Sequence, residues 1–575
     1  VGDRGPSALD WAIMRDCMEW GVTVLQANGE MDGGDIWAVE TFLMRLAKKS
    51  SLYRNEVSEA AVRAVLLAVE RFRHRNDSPE QARPDLSKAV RPELVEGCAS
   101  TTQVVRQAHH ERPKEQSGFK PQPLDYSCPE VLGRLHATIR QADRAIDWKR
   151  DDTRTVLKKI HAADGFPGVL DTLCGNEYYL FDACAEDTLR GSEPGEIIAQ
   201  RNGAVCRATI DGAVWIGHLK RKAEAEPNLP SVSDPFALSL SKGRPWFDKL
   251  TTNGSLVNGQ SGVKLPATMV LEGHLADVPE APLDPFSPCA GETWRDIWFE
   301  QKNGVGYLHF DFYNGAMSTG QCERLREVYL EATRRDVRVI VLLGGADFWS
   351  NGIHLNCIEA AASPADESWR NINAMNDLAR AIITTSSQLT IAALQGNAGA
   401  GGVFLSLAAD QVYAREGVVL NPHYKGMGNL YGSEYWSYLL PGRVGEARAA
   451  TLTQNRLPVG AAEACEMGLI DGCFGIDRED FLARIEQLAE GLAASLDYPA
   501  LLQEKLARRE HDEREKPLDS YRAEELRHMQ LNFYGFDPSY HVARYNFVYK
   551  IPHAWTPLYL ARHRRIAQNP VCAIL

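Results

Sequence analysis

None of the twelve cysteines forms a C-x-x-C pair, and no Cys/His cluster has the short spacing of a zinc site. That excludes the common structural zinc modules and leaves scattered, reduced thiols as the expectation. No apolar run approaches the roughly 20 residues that a membrane-crossing helix needs. The opening VGDRGPSALDWAI also lacks the charged-then-apolar order of a secretory signal. A cytoplasmic chain with no membrane partner is expected. Basic excess is missing too: 63 Lys and Arg stand against 76 Asp and Glu, a net charge of -13. Nucleic-acid partners, which need a basic face, are therefore not expected. No metal ligands and no redox cofactor are assigned.

Length is what the sequence does have. At 575 residues, 44% hydrophobic and 24% charged, the chain exceeds a single hydrophobic core and has an ordinary globular composition. It starts on Val1 rather than Met, which reads as an alternative start codon or a chain that lacks its beginning. Residues 1–75 read as a helix (SALDWAIMRDCMEW), a strand (GVTVLQA), a Gly/Asp loop (NGEMDGGDIWA) and two further helices. The stretches PDLSKAVRPELVEG…KPQP and SDPFALSLSKGRPWFDKL…NGQSG have no sustained period. They resemble translated interspersed repeats inserted in surface loops. Between them, CPEVLGRLHATIRQADRAIDW and TRTVLKKIHAAD read as helices, followed by short alternating strands joined by Gly turns, a pattern that suits a small β-barrel. From GVGYLHFDFYNGAMS onward, strands alternate with helices to about residue 490, as in a stack of β-β-α units. The charged tail ALLQEKLARREHDEREKPLDSYRAEELRHMQLNFYG is predicted to be an exposed helical extension.

Chemistry is suggested where the buried run VRVIVLL ends in GGADFWSNGIHLN. Small residues there leave backbone N–H groups free at a strand's carboxyl end. In a second strand-to-loop-to-helix element, LTIAALQGNAGAGGVFLSLAADQVYA, the Gly-rich loop opens a helix at Gly401 and Gly402, whose N–H groups can approach an oxygen without side-chain interference. Two such loops can converge on one carbonyl.

Together, FWSNGIHL and GNAGAGGVFLSLAADQVYA resemble the crotonase (enoyl-CoA hydratase/isomerase) superfamily. The resemblance implies a coenzyme A thioester whose oxygen is held by the N–H groups of Ile353 and Gly401, with Gly352 and Gly402 supporting the loops. Two departures matter. A hydratase's first catalytic glutamate is replaced by Phe404, and its second, in a QPE-like turn, by His423 in NPH. Hydration is not expected once both acid/base groups are gone. The replacement stretch LNPHYKGMGNLYGSEYWSYLLPGRVG instead brings Tyr424, Tyr431, Glu434 and Tyr435 to the same place. A helix dipole near Glu434 favours its ionised form and apolar neighbours oppose it, and the sequence leaves that balance open.

At the other end, Arg4-Gly5, Gly21-Val22-Thr23 and Asp32-Gly33-Gly34-Asp35, with Met31 in place of Leu, resemble the formyltransferase domain of methionyl-tRNA formyltransferases. That resemblance makes Asp32 the catalytic aspartate and places Arg4 and Gly5 at the folate site. The family's Asn and His partners would precede this chain, so it is expected not to perform the folate half-reaction by itself. Formyltransferase-like part, barrel, then a crotonase-like part with NPHY…GSEYW is the order of the HypX/HoxX hydrogenase maturation proteins, which this chain resembles.

The fold class expected is thus multidomain α/β. Residues 1–75 would be a partial formyltransferase-like domain, 76–125 an insert, 126–225 a small OB-like β-barrel, 226–290 a linker with the second insert, 291–495 a crotonase-like β-β-α spiral and 496–575 a helical extension. The resemblance implies two steps. A formyl group passes from N10-formyltetrahydrofolate to coenzyme A, and formyl-CoA then splits into CO and CoA, with Tyr424 and Glu434 catalytic. The [NiFe]-hydrogenase maturation machinery is the implied partner. Two competing readings remain: a general acyl-CoA isomerase or thioesterase with Glu434 as base, and a non-catalytic CoA-binding remnant.

Overall fold

The computed structural model describes residues 4–29, 32–74, 119–125, 135–222 and 262–552. Most of the two repeat-like stretches, and Met31, fall outside these described residues. The chain divides into two compact units, residues 1–145 with 158–167 and residues 146–157 with 168–575.

In the first unit, a helix over Ala8–Met14 leads into β1 (Glu19–Leu25), which pairs antiparallel with β2 (Ile36–Leu43). One of the two helices expected after the Gly/Asp loop is therefore a strand. Its IWAVETFL is rich in β-branched and aromatic residues, which suit a half-buried pleated surface. The other is a helical run ending in Ser58–Arg73, whose Ala60, Ala64 and Ala68 form the buried stripe. The helix expected in CPEVLGRLHATIRQADRAIDW is not formed over its described part. Leu135 bridges to Arg4, His136 N donates to Arg4 O at 3.0 Å and Ile139 N to Ser7 Oγ at 3.2 Å, leaving only a 3-10 turn over Gln141–Arg144. Pairing with a distant segment overrides local propensity here.

The second unit opens with a six-stranded antiparallel sheet of β3 (Val169–Leu173), β4 (Asn176–Glu186), β5 (Ile197–Arg201), β6 (Ala204–Ala208), β7 (Ala213–Arg221) and β8 (Lys264–Pro266). Its order is β3-β4-β7-β6-β5, with β8 on β7. The expected barrel is corrected to an open sheet: among the described residues no ladder joins β3 to β5. The strand content was readable from alternation, but closure depends on tilt and stagger, which alternation does not encode.

The remaining strands build two further sheets. β9 (Ile297–Lys302), β10 (Val305–Phe310), β11 (Val339–Leu343), β13 (Leu389–Leu394), β15 (Gln411–Ala414) and β18 (Gly472–Cys473) form one in the order β18-β15-β13-β11-β10-β9. It is parallel except for β9. β12 (Phe348–Ser350), β14 (Asn397–Gly399), β16 (Val419–Asn421) and β17 (Val459–Gly460) form the smaller sheet. Each β11-β12, β13-β14 and β15-β16 step thus sends the chain from the large sheet to the small one before the next helix. This is the repeating β-β-α plan that the sequence implied. Every residue of β11 and β13 is buried, which explains their unbroken apolar sequence.

The helices Tyr498–Glu515, Leu518–Tyr534 and Ser539–Val548 confirm a helical extension but not an exposed one. Leu518, Met529, Phe533 and Tyr540 are buried in the same core as β10, β11 and β13. The many charges misled because most occupy the outer faces of these helices and conceal a sparse apolar stripe, while Lys505, Glu525 and Arg544 are themselves buried.

Candidate active site

Both loops singled out by sequence leave the small sheet. β12 ends at Ser350, and the chain turns through Gly352 at φ +79°, a left-handed conformation that favours glycine. β14 ends at Gly399 and the chain enters the helix Gly401–Leu407 through Ala400, itself at φ 48°. The turns are pressed together: a Cβ on Gly352 would lie 3.2 Å from the N of Gly401. Gly402 packs on the backbone of Ser350, where no Cβ could be accommodated. The structure thus brings Ile353, Gly352, Gly401 and Gly402 to one point. Neither Ile353 N nor Gly401 N donates to another group among the described residues.

The carboxyl of Glu434 closes this point from the other side. A Cβ on Gly401 would lie 2.8 Å from Glu434 Cδ, so the acid abuts the glycine whose N–H opens the helix. Glu434 is 1% exposed and has φ 59°; Tyr435 follows at φ 58°. Two consecutive non-glycine residues in the left-handed region cost of order 1–3 kcal/mol each and persist only where surroundings enforce them. The enforcement is visible. Asn376 Oδ1 accepts from Glu434 N at 2.7 Å, and Glu525 Oε2 accepts from Tyr435 N at 3.0 Å.

The Tyr424 hydroxyl makes a short hydrogen bond with Glu434 and also lies 3.0 Å from Ser433 O. Burial, followed by the charges of Glu434 and Glu525, holds Tyr424 well above its ordinary pKa. It stays a phenol. Burial also raises the Glu434 carboxyl, which the Tyr424 hydrogen bond lowers and Glu525 raises again, to about 8. Desolvation by burial is the largest cause. Tyr424 donates to the Glu434 carboxylate, and Ser433 N donates to the same oxygen at 3.3 Å.

The rest of the lining is aromatic. The Phe404 ring, fully buried, stacks on Tyr424 at 5.2 Å and 20°. Tyr431 stacks on His528 at 4.1 Å. His423 is 8% exposed, and burial lowers its pKa, so an uncharged imidazole stands where a hydratase keeps a carboxylate.

In the first unit, Asp32 is exposed at the tip of the β1-β2 hairpin with φ 56°. Arg4 and Gly5 are engaged with the segment Leu135–His136. A Cβ on Gly5, at φ +106°, would meet His136 O at 2.6 Å, which accounts for the glycine by close backbone approach. Among the described residues no group of three or more His, Cys, Asp or Glu is placed to hold a metal ion.

Comparison with known proteins agrees with these two architectures. The family Enoyl-CoA hydratase/isomerase matches residues 300–530, and Formyl transferase, C-terminal domain, matches 138–230. Over 98% of its length the chain is 47% identical to hydrogenase maturation factor HoxX of Bradyrhizobium diazoefficiens, covering 84% of that protein. The chain belongs to the HoxX/HypX family of hydrogenase maturation factors. HypX from Aquifex aeolicus, crystallised in complex with tetrahydrofolic acid, superimposes with a TM-score of 0.80 at 43% identity, over 98% of this chain and 85% of that one. A 4-chlorobenzoyl coenzyme A dehalogenase of Arthrobacter is 28% identical over 35% of the chain and 72% of its own length. As a HoxX/HypX protein, the chain has the fold read from its sequence: formyltransferase-like and crotonase-like parts joined in one polypeptide.

Sequence reading missed Asn376, Ser433 and Glu525 among the residues that form the turn at Glu434. Asn376 carried a faint signal, a polar residue on the buried face of the amphipathic helix Pro364–Ile383. Glu525 carried none, being one of several glutamates in a charged run.

Proposed function

We propose that this protein makes carbon monoxide for the metal centre of a [NiFe]-hydrogenase, in the cytoplasm, by decarbonylating formyl-CoA. The observation that carries the reading is the placement of the Glu434 carboxyl, hydrogen-bonded to Tyr424, directly against Gly401, on which the Gly352 turn that leads to Ile353 also packs. N–H groups aimed at a thioester oxygen stabilise charge as it develops there. The formyl carbon would then face the carboxyl. Glu434, in its ionised form, removes the formyl proton; the C–H electron pair becomes the lone pair of CO, and the C–S pair leaves with sulfur. The proton returned by Glu434 to the thiolate completes the products, CO and CoA. A carboxyl raised toward neutrality is suited to both halves of that transfer. Tyr424 orients it and supplies the hydrogen bond that the ionised form needs.

The crowding supports a one-carbon acyl group. Phe404 stacks on the Tyr424 ring that is bonded to the carboxyl, and Glu434 approaches Gly401 too closely for even a Cβ to stand between them. The formyl group would come from N10-formyltetrahydrofolate by transfer to the CoA thiol, in keeping with the folate-bound relative; Asp32 is the residue we place in that step. The hydrogenase assembly machinery is the partner that would receive CO.

Thiol release from formyl-CoA and from acetyl-CoA, compared in the parent and in Glu434→Gln, tests the reading. Rapid release from formyl-CoA alone, lost in the variant, is the expected result. Comparable release from acetyl-CoA would favour a general thioesterase instead.

A further inference from the structure

The turn that presents Glu434 is held by one face of a helix far along the chain. Residues 525, 528, 529 and 532 of the helix Leu518–Tyr534 have the spacing that places side chains on one side. Each of the four meets the segment 431–437. Glu525 Oε2 accepts from Tyr435 N at 3.0 Å, and its Oε1 accepts from Ser437 N at 2.9 Å and from Ser437 Oγ at 2.6 Å. His528 stacks on Tyr431, Met529 S lies 3.2 Å from Gly432 N, and Asn532 Oδ1 accepts from Tyr431 N at 3.0 Å.

Glu525 is the centre of this arrangement. It is 0% exposed, and a carboxylate so placed is stable only where donors replace its water. Ser433 Oγ, 3.2 Å from Oε2, adds to the backbone and hydroxyl donors already named. Two of those donors are N–H groups at the start of the helix Trp436–Val444, which would otherwise be unsatisfied. The acid thus caps that helix from outside its own sequence and fixes the residue that follows Glu434. We propose that Glu525 is a positioning residue for the reaction: it locks the left-handed turn at Glu434–Tyr435 and so sets the Glu434 carboxyl against the Ile353 and Gly401 N–H groups.

Glu525 also acts through space. The titratable groups around the Glu434 carboxyl are Tyr424, Glu525 and Cys322. Glu525 is the other acid among them, itself pushed up to about 7 by burial, and once ionised its like charge opposes ionisation of Glu434. Glu525→Gln keeps the shape but loses the charge and one acceptor oxygen, so it separates these roles from mere packing.

This inference rests on the decarbonylase reading, and the experiment is arranged to part the two. Formyl-CoA turnover is followed against pH in the parent, Glu525→Gln and Ser437→Ala, and amide exchange at Tyr435 and Ser437 is followed in the same proteins. Expected in Glu525→Gln are a kcat at least tenfold lower with KM little changed, an acid limb displaced to lower pH, and faster exchange at both amides. Ser437→Ala, which removes only a hydroxyl partner, should slow turnover less; it decides the matter should Glu525→Gln fail to fold. Parent-like kcat, pH profile and exchange would overturn the proposal. A parent silent on formyl-CoA would count against decarbonylation, and amide exchange would then decide positioning: faster exchange supports it and unchanged exchange overturns it.

Discussion

Glu434 is a carboxyl whose surroundings have moved it into the range where it can both take and return a proton. The cause is the loss of water around it, which the Tyr424 hydrogen bond only partly offsets. In the proposed mechanism the ionised form is the base, so turnover should be lost as pH falls through about 8 and should level off above it. Replacing Glu434 by Gln should remove the base and lower kcat by roughly 10²–10⁴-fold, the usual worth of a placed acid/base group. A rate profile flat from pH 6 to 9 would show that Glu434 does not titrate in the reaction. Glu434 and Tyr424 were singled out in sequence because they fall in the motif GSEYW after NPHY, and the structure brings the two side chains into contact. The raised pKa was not readable, since it depends on burial and on Glu525, which comes from a distant helix.

At the scale of elements, the two glycine loops and the helix Leu518–Tyr534 are the parts that make the site. The loops were legible because their function needs a local signature: a buried strand, then φ-permissive residues, then a helix. The helix was legible as a helix only. Its role lies in four side chains that meet a segment about a hundred residues earlier, and no local pattern records such a meeting. The barrel and the exposed tail were misread for a related reason, because closure of a sheet and docking of a helix are decided by partners distant in sequence. The packing makes a specific outcome expected on truncation. A chain ending before Leu518 would lose Leu518, Met529, Phe533 and Tyr540 from the core. Removing one such side chain alone typically costs about 2–5 kcal/mol. Truncation should therefore abolish cooperative unfolding of the crotonase-like part, as followed by calorimetry; an unchanged transition would mean that the helices are dispensable.

For the whole molecule, membership of the HoxX/HypX family joins a formyltransferase-like part to a crotonase-like part, and a one-carbon unit is the chemistry the two have in common. One part suits formyl transfer and the other suits thioester activation, and in the function proposed above formyl-CoA is the intermediate that links them. Direct supply of formyl-CoA isolates the second step. The decisive measurement is CO release from formyl-CoA by the purified chain, trapped on deoxyhaemoglobin, beside the Glu434→Gln and Tyr424→Phe variants. The account predicts CO in step with free CoA from the parent and a large loss in both variants. Free CoA with formate and no CO, or CO release undiminished in Glu434→Gln, would contradict it.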